Sequence, residues 1–362
     1  EDSVTKKLLF SGDIGNIHQP LINDPEYPES ADYVIMESTY GDRSHGPKPD
    51  YVPELAKIIQ ETLDRGGNLV IPSFAVGRTQ EMLYFIREIK AEHLVHGHGE
   101  FPVYVDSPLA VEATNIFRDH QKECYDSDAA ALLAQGINPI LFPGLKLSIT
   151  SDESKAINFN ETPKVIISAS GMCDAGRIKH HLKHNLWRPE CTVVFVGYQG
   201  EGTLGRALLE GVKSVKLFGE EIAVHAQIVN FQGLSSHADR NHLLSWIQAI
   251  QAPKPQHVFV VHGDREVAPF FAKTIQGLGF TAHAPQYTEV YDLIADKVTE
   301  PGYLPERKAR TTGGMRASAA YERLVAVGNM LMESIKRSRG RDNKSLARFA
   351  DQLRQLLEKW ES

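Results

Sequence analysis

The apolar positions of this chain fall into short runs separated by stretches of helical period. Runs at residues 7–10, 33–36, 68–73, 103–106, 164–169, 192–196 and 257–261 are strand-sized, and several are apolar at nearly every position. Continuous rather than alternating runs mark strands buried on both faces, as in parallel sheets. Helical periods fill the gaps. They lie at 52–65, after an opening at Gly77-Arg78-Thr79-Gln80-Glu81, on to about residue 134, and again at 239–250 and 265–278. Two short strands are expected within 212–225 and a last one at 280–283. This alternation predicts an α/β fold with a mostly parallel sheet.

Four apolar runs stop at a residue able to ligate a metal or carry a proton. They end at Ser11-Gly12-Asp13, Glu37-Ser38-Thr39, Ser235-Ser236-His237-Ala238-Asp239 and Val261-His262-Gly263-Asp264. The last two flank one helical stretch, so the unit reads strand–His–helix–strand–His. A right-handed βαβ crossover would set both imidazoles at the carboxyl ends of neighbouring strands, where open α/β sheets bind ligands. A single Asp at a strand end is more often a turn or helix cap, and a single His is often a satisfied core residue. Two carboxylates and two imidazoles together predict an oxygen–nitrogen metal site suited to Zn²⁺, Mn²⁺ or Fe²⁺.

Composition narrows the class. The chain has 362 residues, long enough for two domains, and its apolar runs are too short to span a bilayer. Three cysteines without C-x-x-C spacing argue against a disulfide framework or a thiolate zinc site, and fit a reducing cytoplasm. The net charge of −7 leaves no global basic footprint for nucleic acid. After Pro301 the character changes. A Pro/Gly/basic linker carries Arg307, Lys308, Arg310 and Arg316, with Lys336, Arg337, Arg339, Arg341 and Lys344 further on. A solvated face is the plain explanation of such a run. Two helical stretches, 316–337 and 344–360, flank a Gly340-Arg341-Asp342-Asn343 break. Leu346, Phe349, Leu353, Leu356 and Trp360 share one face of the second. That stripe suits docking on the main body or homodimerisation through the C-terminal helices.

The order of these motifs resembles the later half of the β-CASP metallo-β-lactamase superfamily of RNA-processing nucleases. It is most similar to the cleavage-and-polyadenylation endonucleases and their bacterial homologues. Ser11-Gly12-Asp13, Glu37-Ser38-Thr39, Ser236-His237-Ala238-Asp239 and Val261-His262-Gly263 resemble the fourth metal motif and motifs A, B and C. Gly77-Arg78-Thr79-Gln80-Glu81, the segment from Ile167 to Met172 and that from Gly197 to Gly205 resemble parts of the β-CASP insert. The similarity runs from Leu8 to about Leu293.

The resemblance implies the later part of a metallo-β-lactamase αββα sandwich with an inserted β-CASP α/β domain and a C-terminal helical extension. The boundaries expected are 1–42 and 230–300 for the metallo-β-lactamase part, 43–229 for the insert and 301–362 for the linker and helices. It also implies zinc, two ions per intact site, with manganese as a substitute. Asp13 would bridge the metals and His262 would ligate one. His237 would be the general acid, oriented by Glu37 and supported by Ser236 and Asp239. A His at motif C goes with RNA-directed members, so RNA is the implied substrate, hydrolysed endo- and also exonucleolytically by zinc-bound hydroxide. Phosphate contacts are expected from Arg78 and Thr79 at a helix start, from Ser168, Ser170 and Gly171, and from Thr203 and Arg206.

One departure is large. The family's His-x-His-x-Asp-His cluster is absent. His96-Gly97-His98 reads as a solvent loop, and His180 and His184 as one face of a helix in the insert. The chain therefore reads as beginning inside the catalytic domain, and by itself it is expected to bind zinc poorly and to be inactive. Two alternatives stand beside the nuclease. One is a non-catalytic β-CASP scaffold subunit. The other is a metallo-β-lactamase-fold hydrolase of small esters, which the long insert between Glu37 and His237 disfavours.

Overall fold

Strands form where the apolar runs lie. In chain order the computed structural model contains β1 (Leu8–Phe10), β2 (Tyr33–Met36), α1 (Tyr51–Asp64), β3 (Leu69–Pro72), α2 (Arg78–Ala91) and β4 (Val103–Asp106). Next come α3 (Pro108–Asp119), α4 (Gln121–Cys124), α5 (Ser127–Ala134), β5 (Leu145–Ser148), α6 (Ser151–Phe159), β6 (Val165–Ser168) and α7 (Ile178–Asn185). Then follow β7 (Thr192–Phe195), α8 (Leu204–Leu209), β8 (Ser214–Leu217), β9 (Glu220–Ala223), β10 (Gln227–Asn230), α9 (Arg240–Gln248) and β11 (His257–Val260). Last are α10 (Val267–Gly277), β12 (Ala282–His283), β13 (Val290–Asp292), β14 (Lys297–Glu300) and α11 (Asn343–Glu361). The structure describes residues 4–46, 49–231, 233–250, 253–305, 327–328, 330–332, 334–339 and 343–361.

Two parallel sheets organise the main unit. The smaller has the order β1-β2-β11-β12, the larger β10-β7-β3-β6-β4-β5. The chain leaves the small sheet after β2, builds the entire large sheet, and returns so that β11 lies beside β2 with His257 opposite Tyr33. One α/β domain is thus inserted into another. β3, β4, β6 and β7 are buried at every position, as strands covered by helices on both faces must be.

Helices supply the covers. Leu55 and Ile59 of α1 with Met82 and Ile86 of α2 pack on one face of the large sheet. Ile178 and Leu182 of α7 with Leu208 of α8 pack on the other. Leu243 and Ile247 of α9 join Phe271 and Ile275 of α10 against Val34 and Val258 of the small sheet. Each such buried side chain contributes about 1.5–3 kcal/mol. Local sequence sets the helix starts. Ser107 caps α3 ahead of Pro108, and Thr150 and Glu153 form a reciprocal capping box on α6.

Three features depart from the sequence reading. Edge strand β5 and the antiparallel hairpin β13–β14 were not expected, because none of these strands holds more than two apolar residues and their setting is polar. His237 does not end a strand of the small sheet. The strand before it, β10, pairs with β7 in the large sheet. His237 lies in the returning loop, held by an isolated antiparallel bridge to Gly15. The strand–His–helix–strand–His unit is therefore not a βαβ crossover within one sheet.

Residues from Leu304 onward form a separate unit. In it α11 matches the helix expected at 344–360, with Leu346, Phe349 and Leu353 half-buried and Leu356 exposed. The helix expected at 316–337 is helical at described residues 327–328, 330–332 and 334–337. The rest of it, Arg307, Lys308, Arg310, Arg316, Arg341 and the side chain of Trp360 lie outside the described residues. Among the described residues no helix is long and apolar enough to cross a membrane.

Candidate active site

Three adjacent strands of the small sheet stop level with one another. Phe10 pairs with Ile35, and Met36 with Val260. Glu37, directly after the central strand β2, is therefore walled in by the exits of β1 and β11 and is almost fully buried. Its backbone N–H donates to Ser11 Oγ at 3.1 Å. Its carboxylate accepts from the N–H groups of Ile14 at 2.5 Å and Thr39 at 3.4 Å. His237 Nδ1 lies 3.1 and 3.3 Å from its two oxygens. Burial by itself would raise the Glu37 pKa. The hydrogen bonds from His237 and Thr39, and the charge of His237, outweigh it and hold the carboxyl below its ordinary value.

The same pair acts on the histidine in the opposite sense. The Glu37 hydrogen bond raises the His237 pKa against the burial that lowers it, with the charges of Glu37 and Asp13 adding to the rise. With Nδ1 turned to Glu37, the other edge of the imidazole is left for chemistry. The loop carrying it is pinned to the loop after β1. Ala238 N–H donates to Ile14 O at 2.8 Å and Asn16 N–H to Ser236 O at 2.9 Å.

His262 follows β11 and takes a left-handed conformation, φ +49°. Such a backbone is costly for a residue with a side chain and is held by its surroundings. Here Ser38 N–H and Thr39 Oγ1 both donate to His262 O, at 3.2 and 3.3 Å. Gly263 is required next, because a Cβ there would collide with the Ser38 side chain and backbone. The turn carries His262 Nε2 to 3.2 Å from Asp13 Oδ1, both side chains being well exposed.

Asp13, His237 and His262 each offer a donor atom within 4.8 Å of the others. Asp13 and His262 offer a carboxylate and an imidazole, donors that zinc accepts, while His237 stands beside them with its Nδ1 turned to Glu37. The residues present fit such an ion.

The remaining predicted residues divide sharply. Asp239 caps α9, accepting from His242 N–H at 2.9 Å, and its second oxygen accepts from His45 N–H at 3.1 Å. Ser236 is exposed beside His237. Arg78 does not face a phosphate. Its guanidinium is buried against Glu81 and Leu234 O and donates to Ser236 Oγ at 3.0 Å. It clamps the segment that carries His237. Thr79 is buried and donates to Phe74 O, and Ser168 is buried and donates to Asp106 O, so neither reaches solvent. Ser170 Oγ donates to Ala175 O, and Gly171 packs beneath Phe74. Thr203 caps α8. Arg206 is exposed, paired with Glu210 at 2.7 Å, and lines a cavity of about 650 Å³. Of the expected phosphate ligands, Arg206 is the one whose charged head lies on that cavity. Arg78, Thr79 and Ser168 turn inward; they were misread because a helix start and a strand end look alike in sequence whether they face solvent or the core.

Tyr40 and His45 were missed. Tyr40 stands edge-on to His45 at 4.9 Å and to His237 at 6.3 Å, and both line the same cavity. Only the position of Tyr40 three residues after Glu37 hinted at it. Of the other histidines, His98 meets Asp64 at the surface, and His180 and His184 share the exposed side of α7.

An inserted α/β domain, with a carboxylate-backed histidine beside an Asp–His pair, is an arrangement of the metallo-β-lactamase class of folds. Residues 79–208 match the Beta-Casp domain, and residues 221–285 match the Zn-dependent metallo-hydrolase RNA specificity domain. The chain belongs to the β-CASP family of the metallo-β-lactamase superfamily. Similar proteins include a ribonuclease of Thermus thermophilus, 38% identical over 72% of this chain and 58% of that protein. An RNase J-like protein of Methanocaldococcus jannaschii is 34% identical over 75% of this chain and 61% of its own length. The transcription termination factor FttA of Methanosarcina mazei is 32% identical over 74% and 42%. The chain thus spans about half the length of the curated relatives it matches.

Proposed function

We propose that this chain carries the acid side and part of the metal side of a zinc-dependent hydrolase of RNA phosphodiesters, acting in RNA processing or decay. The observation that carries the reading is the convergence of Asp13, His237 and His262 with Glu37 buried behind His237. Asp13 and His262 would hold metal, two ions in the complete site with manganese able to substitute. Bound there, the metal supplies Lewis acidity toward the phosphodiester. His237, kept protonated by Glu37, delivers a proton to the leaving oxygen. Tyr40 limits the space beside the ring, and Arg78 fixes the loop through Ser236. Arg206 on the cavity wall attracts the phosphate backbone. The names of the relatives, a ribonuclease and an RNase J-like protein, support RNA as the substrate.

Zinc binding by calorimetry and cleavage of single-stranded RNA, measured together on the whole protein, test this. His262→Ala is expected to lose both zinc and activity. Full zinc content and an undiminished cleavage rate in that variant would end the reading. Three free cysteines, two of them buried, support a cytoplasmic setting. The amphipathic α11 supports pairing of two chains through its apolar face. Sedimentation of the chain cut after Pro301 tests that, and an unchanged dimer would count against it.

A further inference from the structure

Phe74 and Tyr198 are large aromatic residues left open to solvent at the carboxyl edge of the large sheet, 43% and 64% exposed. Phe74 leaves the central strand β3, and Tyr198 leaves its neighbour β7. The rings are not loose surface side chains. Phe74 lies across the exits of both flanking strands, over Gly171 and Gly197. A Cβ on Gly171, after β6, would stand 3.2 Å from the ring, and one on Gly197, after β7, would stand 3.6 Å from it. The Phe74 backbone is tied as well, its carbonyl accepting from Thr79 N–H and Thr79 Oγ1. Tyr198 follows Gly197 and lines the cavity of about 650 Å³ that Tyr40, His45 and Arg206 also line. Tyr40, on that cavity, stands edge-on to His237 with ring centroids 6.3 Å apart.

A single exposed aromatic needs no explanation. Two of them on adjacent strand ends, one seated on a shelf of glycines, at the edge where parallel sheets receive ligands, form a surface with a use. We propose that Phe74 and Tyr198 are a stacking platform for unpaired bases of an RNA strand whose backbone enters the cavity toward His237. This rests on RNA being the substrate and adds how the strand is gripped. Arg206 on the cavity wall serves the backbone, while the two rings serve the bases. Every base has a π-face, so the platform is sequence-tolerant. It excludes duplex, whose bases are stacked on one another and not free to splay. Stacking on a protein ring strengthens binding roughly 5- to 150-fold per base.

The test compares three ligands on the chain: an end-labelled single-stranded oligoadenylate, a ribose-phosphate oligomer of the same length without bases, and an RNA duplex. Phe74→Leu keeps apolar cover over Gly171 and Gly197, and Tyr198→Ala removes an exposed ring, so both preserve the fold. The combined variant is expected to lose about tenfold or more in affinity for oligoadenylate, with binding of the abasic oligomer and the salt dependence unchanged. Phe74→Trp is expected to retain wild-type affinity. Equal losses on the abasic oligomer, or no loss on oligoadenylate, would overturn the platform while leaving the RNA reading standing. A wild-type chain that binds none of the three removes the RNA reading, and the platform with it.

Discussion

Two of the molecule's carboxylate–histidine pairs have opposite fates. In the large sheet, Asp106 at the end of β4 meets His181 of α7 at 2.6 Å, with both side chains fully buried. Ser154 Oγ and Arg177 Nη1 complete its shell at 2.6 and 2.8 Å, and Asn158 Oδ1 takes the far nitrogen of His181 at 2.9 Å. In the small sheet, Glu37 is equally buried, but its partner His237 keeps 28% of its side chain open. The first pair has no edge left over. The second leaves one imidazole edge beside Asp13 and His262. Identical chemistry becomes a structural joint when every donor is satisfied in the dry interior, and an acid–base device when one end stays wet.

The comparison can be broken in order of expected effect. Exchanging the histidines tests it most directly. His237→Ala is expected to lower RNA cleavage by the whole protein about 10²- to 10⁴-fold with little change in melting temperature. His181→Ala is expected to act through stability. A rate loss from His181→Ala at full stability, or none from His237→Ala, would erase the distinction.

Asp106→Ala leaves Arg177 and His181 facing a void and should cost about 3–5 kcal/mol in urea unfolding. Its acid dependence follows from its partners. Burial raises the Asp106 pKa, but the hydrogen bonds from His181, Ser154 and Arg177 win and bring it to about 2. A carboxylate with a depressed folded pKa stabilises the fold above its unfolded value. That contribution is lost as the pH falls from about 4 toward 2, so wild type should lose stability across this window more steeply than Asp106→Asn.

Glu37→Gln keeps the shape and removes the charge behind His237. A fall of about 10- to 100-fold in activity or metal affinity is expected, with a rise in stability excluded by the loss of the charged hydrogen bonds. Arg78→Ala is expected to be milder for chemistry. It frees the loop at Ser236, so the rate should drop while the salt dependence of RNA binding stays as in wild type. A shallower salt slope would restore Arg78 as a phosphate ligand.

Much of this was legible from residue order. Runs such as Val165–Ser168 and Thr192–Phe195 announced buried parallel strands, because a strand covered on both faces has no polar alternation to hide it. The Glu37 and His262 motifs were read at their proper strand ends for the same reason, while Asp13 follows β1, an exposed edge strand. The edge strand β5 escaped, since half of its surface is wet and its pattern is indistinct.

What the sequence alone determined is the class of fold and the identity of the acidic and imidazole groups at the site. Apolar periodicity and residue chemistry are local properties. Direction and accessibility are not. Only the tertiary structure decided that Arg78 and Thr79 turn inward, that His237 arrives on a loop returning from the other sheet, and that Phe74 rests exposed on Gly171 and Gly197. Each depends on which strand lies beside which, and that is set by packing between segments far apart in the chain.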